Sequence, residues 1–277
     1  MDAQTVALST QCREQSMYRK AIVTFLDVLG FRSLIKNETC DSIDSILEKM
    51  SKYAAPIADP DDDPYHPVTT AFSDCVMRIS FTDSKANSDY QIGLLFYELL
   101  ALVHAQSELI DNDVIVRGAV AFGDISYKNE RVFGPAMVDA YELESSKAVF
   151  PRIIISPTWM DVLKSDRLIR SKNHTLKEEL IYINKLIRKD EDGLYFIDYI
   201  RAIRSELDDP EAGYISFLKR HQRLIKNNLK KHVTQDRVLE KYKWLSRYHD
   251  ELINELNEDF LEYYGHSKKS LLTADLE

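Results

Sequence analysis

Two aspartates stand where a folded chain has least use for them. Asp27 lies within Thr24-Phe25-Leu26-Asp27-Val28-Leu29-Gly30-Phe31, among side chains fit for a core. Asp74 lies within Ala71-Phe72-Ser73-Asp74-Cys75-Val76, at the junction of two apolar runs. A carboxylate buried without a partner is costly, so each position calls for a cation or for hydrogen-bond donors. Hard divalent ions such as Mg²⁺ and Mn²⁺ are bound by one or two carboxylates together with substrate phosphates. Two carboxylates sharing two such ions can acidify a hydroxyl and hold a triphosphate for in-line attack. The structural alternative is that each aspartate caps a turn or pairs with a buried arginine.

The elements that must position these acids follow from hydrophobic spacing. Residues 21–28 form a short run of strand formers, and 41–55 carry Ile43, Ile46, Leu47 and Met50 on one helical face. Two strands, 67–72 and 75–81, join tightly through Ser73-Asp74, and a long helix is expected over 89–111. A strand over 113–122 leads through Gly123-Asp124 into a hairpin partner, then a helix over 134–148 and a strand over 152–156. The order β-α-β-β-α-β predicts an α+β, ferredoxin-like unit: a mostly antiparallel sheet with helices on one face. In that unit the first strand lies beside the hairpin strands, so Asp27 and Asp74 meet at one end. A last strand pair is expected within 183–199, turning at Asp190-Glu191-Asp192-Gly193. Beyond 201 the pattern becomes charged and helical, over 212–230 and 235–264. The expected organisation is a tail (1–18), a core domain (19–200) and a helical C-terminal extension (201–277).

Composition narrows the function. The 277 residues carry a net charge of −9, and residues 201–277 hold 14 basic and 14 acidic side chains, so the negative excess lies in residues 1–200. That balance argues against a general nucleic-acid coat. No apolar run reaches membrane-spanning length, and the first twenty residues lack the apolar stretch of a signal peptide. Cys12, Cys40 and Cys75 are odd in number and widely spaced, which fits neither a disulfide framework nor a zinc site and places the chain in the cytoplasm. Asp59–Pro64 lacks the spaced ligands of a calcium loop and is expected to be a solvated loop. The basic stretch 216–232 is expected to be a solvated helix face balanced by the acidic 250–262, not a nucleic-acid contact. The glycines form no phosphate-binding loop, and the histidines no metal motif.

Four segments, in order, resemble class III nucleotide cyclases. Phe25-Leu26-Asp27-Val28-Leu29-Gly30-Phe31 resembles their first metal motif, and Phe72-Ser73-Asp74-Cys75-Val76 their second. Val116-Arg117-Gly118-Ala119-Val120-Ala121-Phe122-Gly123-Asp124 resembles the Arg-containing central strand. Val132-Phe133-Gly134-Pro135-Ala136-Met137-Val138, running into Asp139-Ala140-Tyr141-Glu142-Leu143-Glu144, resembles the glycine-plus-helix motif. The resemblance covers residues 20–155 and is strongest to the compact bacterial cyclases of Pycsar antiphage defence, which make cyclic UMP or cyclic CMP.

The resemblance implies a homodimer with sites at the subunit interface, a pyrimidine nucleoside triphosphate as substrate and a cyclic product that acts on a separate effector. It implies Asp27 and Asp74 as ligands of two Mn²⁺ or Mg²⁺ ions, with the Val28 carbonyl assisting. Purine cyclases carry Asn and Arg one helical turn apart after the glycine motif; here Val138 and Glu142 stand there. Their base-reading Lys and Asp correspond to Thr70 and Arg131, which argues against an adenylate cyclase; the family resemblance alone puts UTP slightly ahead of CTP. Phe25 shares strand parity with Asp27 and is a candidate for packing on the nucleotide, or plain core. Arg117, Arg78, Lys147 and Arg152 are candidates for phosphate contact, Arg117 first; Arg78 shares strand parity with Asp74. Two other readings stay open: a catalytically inactive nucleotide-binding module, and a polymerase-like nucleotidyltransferase using the same two acids.

Overall fold

The computed structural model describes residues 18–54, 67–129 and 131–273. The loop expected at Asp59–Pro64, Cys12 and nearly all of the expected N-terminal tail lie outside them. Strand β1 (Arg19–Val28) is followed by helices α1 (Phe31–Asn37) and α2 (Cys40–Ala54), then β2 (Val68–Phe72) and β3 (Cys75–Phe81). Helices α3 (Lys85–Tyr90) and α4 (Leu94–Asp111) lead to β4 (Val116–Lys128), β5 (Arg131–Phe133), α5 (Pro135–Lys147) and β6 (Ile153–Ile155). Helices α6 (Trp159–Ser165) and α7 (Leu176–Ile183) precede the pair β7 (Ile187–Lys189) and β8 (Tyr195–Ile197). Helices α8 (Tyr199–Ala202), α9 (Ala212–Lys231), α10 (Asp236–Glu255), α11 (Glu258–Tyr263) and α12 (Lys268–Leu271) follow.

The sheet runs β2-β3-β1-β4-β6-β8-β7, with β5 added to β4, and its pairs are antiparallel apart from the parallel β4–β6 contact. This is the α+β, mostly antiparallel architecture expected from the element order, but helices cover both faces, not one: α2 and α4 lie on one side and α5 on the other. The single helix expected over 89–111 is two, because Gln91 and Gly93 adopt left-handed backbone (φ 44° and 95°). That geometry ends one helix and starts the next.

Alternation along β1 decides which side each residue serves. Its even residues Ile22, Leu26 and Val28 join Leu95, Leu99, Leu102 and Met50 of α4 and α2 in the large core. Its odd residues Ala21 and Val23 join Met77, Ile79 and Ala121 beneath Ala136 and Ala140 of α5, in a smaller second core. Helix α5 therefore lies across the sheet face that carries Asp27. Small alanines on α5 let it sit close to the strands, and a Cβ added at Gly123 would already touch Ala136.

The large core also contains Phe217, Leu218, Leu224, Trp244, Leu245 and Tyr248, so the C-terminal helices share one apolar interior with the sheet. At that junction Arg152, only 1% exposed, is gripped by Asp190 and Asp192. Trp244 stacks on Phe150 (5.6 Å between ring centres, 9° apart) and donates its Nε1–H to Asp190 at 3.0 Å.

Candidate active site

Asp27 is the penultimate residue of β1, in register with Cys75 on one side and Arg117 on the other. The close approach of β1 and β4 depends on Gly118: a Cβ there would fall 2.5 Å from the Phe25 carbonyl oxygen and 2.7 Å from Leu26 Cδ2. Only glycine fits beside Arg117, which gives the Arg-Gly-Ala segment a steric reason. Asp74 occupies the two-residue turn that closes on the Phe72–Cys75 pair. Ser73 holds that turn in left-handed backbone, φ 56°, a conformation that costs a non-glycine residue about 1 kcal/mol or more. The Asp74 carbonyl accepts the Val28 N–H at 3.3 Å, which fastens the turn to the end of β1. The result is that a carboxylate oxygen of Asp27, one of Asp74 and the Cys75 sulfur lie within 4.8 Å of one another.

Charge around this cluster is unbalanced. The Arg117 guanidinium donates to Asp27 Oδ2 through Nε at 3.1 Å and Nη2 at 3.0 Å, and to the Ala148 carbonyl at 3.3 Å. The same Nη2 lies 2.8 Å from Glu144 Oε1 of α5, an ionic contact outside hydrogen-bond alignment. Burial, a hydrogen bond with Asp27 and the Asp27 charge push the Asp74 carboxyl up to about 6. Burial, with the Asp27 and Asp74 charges outweighing the opposing pull of Arg117, pushes Glu144 up to about 7. Burial and the same two aspartates push the Cys75 thiol up to about 12, so it stays protonated and points its weak S–H at Asp27 Oδ1, 3.6 Å away.

These donors fit a hard divalent cation. The Cys75 thiol meets Asp27 Oδ1, and the Asp27 and Asp74 carboxyl groups hydrogen-bond each other where a shared cation would lie. The Val28 N–H points at Asp74, and a strand residue's carbonyl points to the same neighbour, which puts the Val28 oxygen on the Asp74 side. Cys75, held as a thiol, is a poor ligand for such an ion.

The structure separates the other sequence-named residues. Phe25, Met77 and Thr70 form one row across the sheet on the Asp27 face. The Phe25 ring packs edge-on against Tyr141 of α5 at 5.7 Å. Arg131 pairs with Lys128, eleven residues along β4 from Arg117, a path of about 35 Å in extended chain, so one subunit does not bring it to Asp27. Arg78 does not share the Asp74 face. It turns to the α4 side, where its guanidinium binds Glu98 at 2.9 Å and the Ala54 carbonyl at 2.9 Å. Burial would raise the Glu98 carboxyl, but Arg78, Thr24 and Ser80 hold it below its usual range. Arg152 is likewise consumed by Asp190 and Asp192. Both arginines are structural partners of acids rather than phosphate ligands, because a turn interrupts the parity assumed for Arg78. Lys147, Val138 and Glu142 are exposed on α5.

Sequence reasoning missed Glu144, Cys75 and Lys241. Glu144 sits inside the motif-bearing helix, two residues beyond the Glu142 position considered. Lys241 of α10 carries a charge that acts on Arg117, Asp27 and Glu144, yet nothing in a charged amphipathic helix singles it out.

Exposed apolar side chains stand on the elements that bear the cluster: Phe72 (85% exposed) at the β2 tip, and Val138 and Tyr141 on α5. A cavity of about 400 Å³ opens on the opposite face, over Arg78 and Glu98, whose polar atoms already satisfy each other.

No family model and no curated protein matches the sequence. Among solved structures, the adenylyl cyclase CyaB from P. aeruginosa is 17% identical, with 65% of this chain and 94% of that chain covered and a TM-score of 0.39. A bacterial light-regulated adenylyl cyclase is 12% identical, covering 68% and 94%, with a TM-score of 0.37. The guanylyl cyclase Cya2 is 13% identical, covering 66% and 93%, with a TM-score of 0.35.

Proposed function

We propose that the chain is a nucleotide cyclase, converting a pyrimidine nucleoside triphosphate, UTP ahead of CTP, to its 3′,5′-cyclic monophosphate and pyrophosphate. The observation that carries this reading is the convergence of Asp27, near the end of β1, and Asp74, in the β2–β3 turn, at one end of the sheet beside Arg117. The sequence motifs around those residues support it.

Asp27, Asp74 and the Val28 carbonyl would hold two Mn²⁺ or Mg²⁺ ions. Bound there, the ions supply a more acidic ribose 3′-hydroxyl and neutralise phosphate charge. The 3′-oxygen forms a bond to the α-phosphorus as its proton passes to water. The bond from the α-phosphorus to the bridging oxygen breaks, and pyrophosphate leaves with the electron pair. Arg117 holds Asp27 by two hydrogen bonds, fixing the carboxylate's orientation through the reaction. Thr70 and Phe25 share one row on the Asp27 face, which supports a role for them in meeting the base. Arg131, remote in its own subunit, would serve a site shared with a second copy. The exposed Phe72, Val138 and Tyr141 suit such a homodimer interface. A cyclic product implies a receptor that recognises it, which fits second-messenger signalling in bacterial antiphage defence.

Incubation of the purified protein with each of the four nucleoside triphosphates and Mn²⁺, with products identified by mass, tests the proposal. Cyclic UMP or cyclic CMP from wild type and neither from Asp27→Asn is the expected result. Primer extension or linear oligomers would identify a polymerase-like enzyme instead. A second reading, an inactive nucleotide-binding module, is favoured by Val138 and Glu142 standing where a cation is expected and by Arg117 being engaged with two acids. Nucleotide binding without turnover would establish it.

A further inference from the structure

The site as built from the sheet and α5 is short of positive charge. Three carboxyl groups, Asp27, Asp74 and Glu144, gather there, and the Asp27–Glu144 side holds Arg117 as its contacting cation. Arg117 is already committed: two of its nitrogens bind Asp27, one of these also touches Glu144, and the third binds the Ala148 carbonyl. A guanidinium so held orients acids well but has little left for a phosphate. Neither Val138 nor Glu142 supplies a cation from α5.

The C-terminal extension brings one. Arg117 fixes the Ala148 carbonyl, and two residues later Phe150 stacks on Trp244 of α10. Trp244 is anchored a second time through its indole N–H to Asp190. Lys241 precedes Trp244 by three residues, one helical turn along the same face, and helical side chains lean toward the N-terminus. The α10 register is therefore fixed at Trp244, with Lys241 one turn beyond it, where its charge acts on Arg117, Asp27 and Glu144. Its stem is half-buried, and its ammonium makes no hydrogen bond or ion pair within 4 Å among the described residues. It nevertheless lies close enough for its charge to act on Asp27, Glu144 and Arg117, and burial with the Arg117 charge lowers its proton affinity. A lysine ammonium is compact, with three donors, suited to a mobile anion rather than to a fixed carboxylate fork.

We infer that Lys241 is a substrate-binding residue of this site, contacting a non-bridging phosphate oxygen of the bound triphosphate. The extension is then part of the active site, supplying a cation that the Val138 and Glu142 positions of α5 do not. This inference rests on the cyclase reading above.

The test uses the full chain. Wild type, Lys241→Met, Lys241→Arg and the neighbouring Lys243→Ala are compared in cyclisation of whichever triphosphate wild type turns over. Binding of inorganic pyrophosphate in the presence of Mn²⁺ is measured alongside by calorimetry. Lys241→Met keeps the apolar stem, so its fold is expected to match wild type in melting temperature and circular dichroism. A KM or pyrophosphate dissociation constant raised about tenfold or more is expected for Lys241→Met, with substantial recovery in Lys241→Arg. Lys243, exposed and paired with Glu240 at 2.8 Å, should leave both unchanged when replaced. Kinetics and pyrophosphate binding within twofold of wild type in Lys241→Met would overturn the inference. If wild type forms no cyclic product, the cyclase reading fails, and pyrophosphate binding alone decides whether Lys241 meets phosphate. An unfolded Lys241→Met is replaced by Lys241→Gln in the same comparison.

Discussion

His221 of α9 and His249 of α10 meet Nδ1 to Nδ1 at 2.9 Å, both with no exposed surface. The protons in this contact are ordered by its ends. His249 Nε2 lies 2.9 Å from the Leu271 carbonyl, which only accepts, so His249 donates there and its Nδ1 must accept. His221 therefore donates from Nδ1, and its Nε2 accepts from the Tyr199 hydroxyl at 2.7 Å. A chain of three hydrogen bonds thus ties the sheet's exit segment to α9, α10 and α12, and these directions require both rings neutral.

Acid should loosen this junction before it touches the rest of the fold. Burial, with the His249 charge, holds His221 well below its usual value, and burial holds His249 down too. The unfolded chain then binds more protons below about pH 6.5, so stability is fully present above that pH and is lost as pH falls, by up to about 1.4 kcal/mol per unit for each ring. Urea midpoints at about pH 7.5 and about pH 5.5 measure it. A His221→Phe/His249→Phe protein should lose most of this dependence; an unchanged slope would contradict the assignment.

Asp27→Asn and Asp74→Asn should each leave the fold intact and lower kcat/KM by about a hundredfold or more, roughly 3 kcal/mol of transition-state stabilisation. Product analysis by mass, with circular dichroism as the fold control, checks this. Activity within tenfold of wild type in either variant would remove that acid from the metal site.

Metal binding should depend on pH through Asp74, which is pushed up to about 6. Without metal, the folded chain holds this proton more tightly than the unfolded one, so the group's contribution to stability declines as pH rises from about 4 to about 6. Metal competes with the same proton, so Mn²⁺ affinity is expected to be flat above about pH 7 and to fall by up to tenfold per unit below about 6. Titration followed by the free-Mn²⁺ resonance signal reads it directly.

Glu98 satisfies a buried arginine, and its loss should be costly. Glu98→Ala leaves the Arg78 charge without its partner in a site 3% exposed and is expected to destabilise by about 3–5 kcal/mol. Because the pair lies on the face opposite Asp27, activity per folded molecule at low temperature should be near wild type. Chemical denaturation and a titrated assay separate the two effects.

Phe72→Asp and Val138→Asp place charges on the exposed apolar rim beside the acids. Both should convert a dimer to monomer in light-scattering and sedimentation measurements, and activity should then rise with protein concentration. A wild-type chain that is monomeric at all accessible concentrations would count against a shared site.

Much of this arrangement was legible in the sequence because it rests on short-range rules. Strand alternation placed Phe25 with Asp27, and the tight Ser73-Asp74 junction placed the second acid beside the first. Arg78 was misplaced because parity counted from Asp74 ignores the turn in which Asp74 sits. The break at Gly93 escaped notice because apolar spacing continues through it, while left-handed backbone at Gln91 leaves no periodic trace. Glu144 and Lys241 were invisible for a different reason. Each looks like ordinary helix-surface charge until tertiary packing turns it toward Arg117.

The stacking of Trp244 on Phe150 bears on how the chain is made. Arg152 and Phe150 leave the ribosome roughly 90 residues ahead of Trp244, about 5–18 seconds at usual rates of synthesis. Once β8 and α8 are made, Phe196 and Tyr199 lack, until α9 and α10 follow, the helices that later bury them. The nascent chain thus passes through a stage in which a nearly complete sheet displays an aromatic seam. Slower elongation through α9 would lengthen that exposure, and chaperone demand should track the delay.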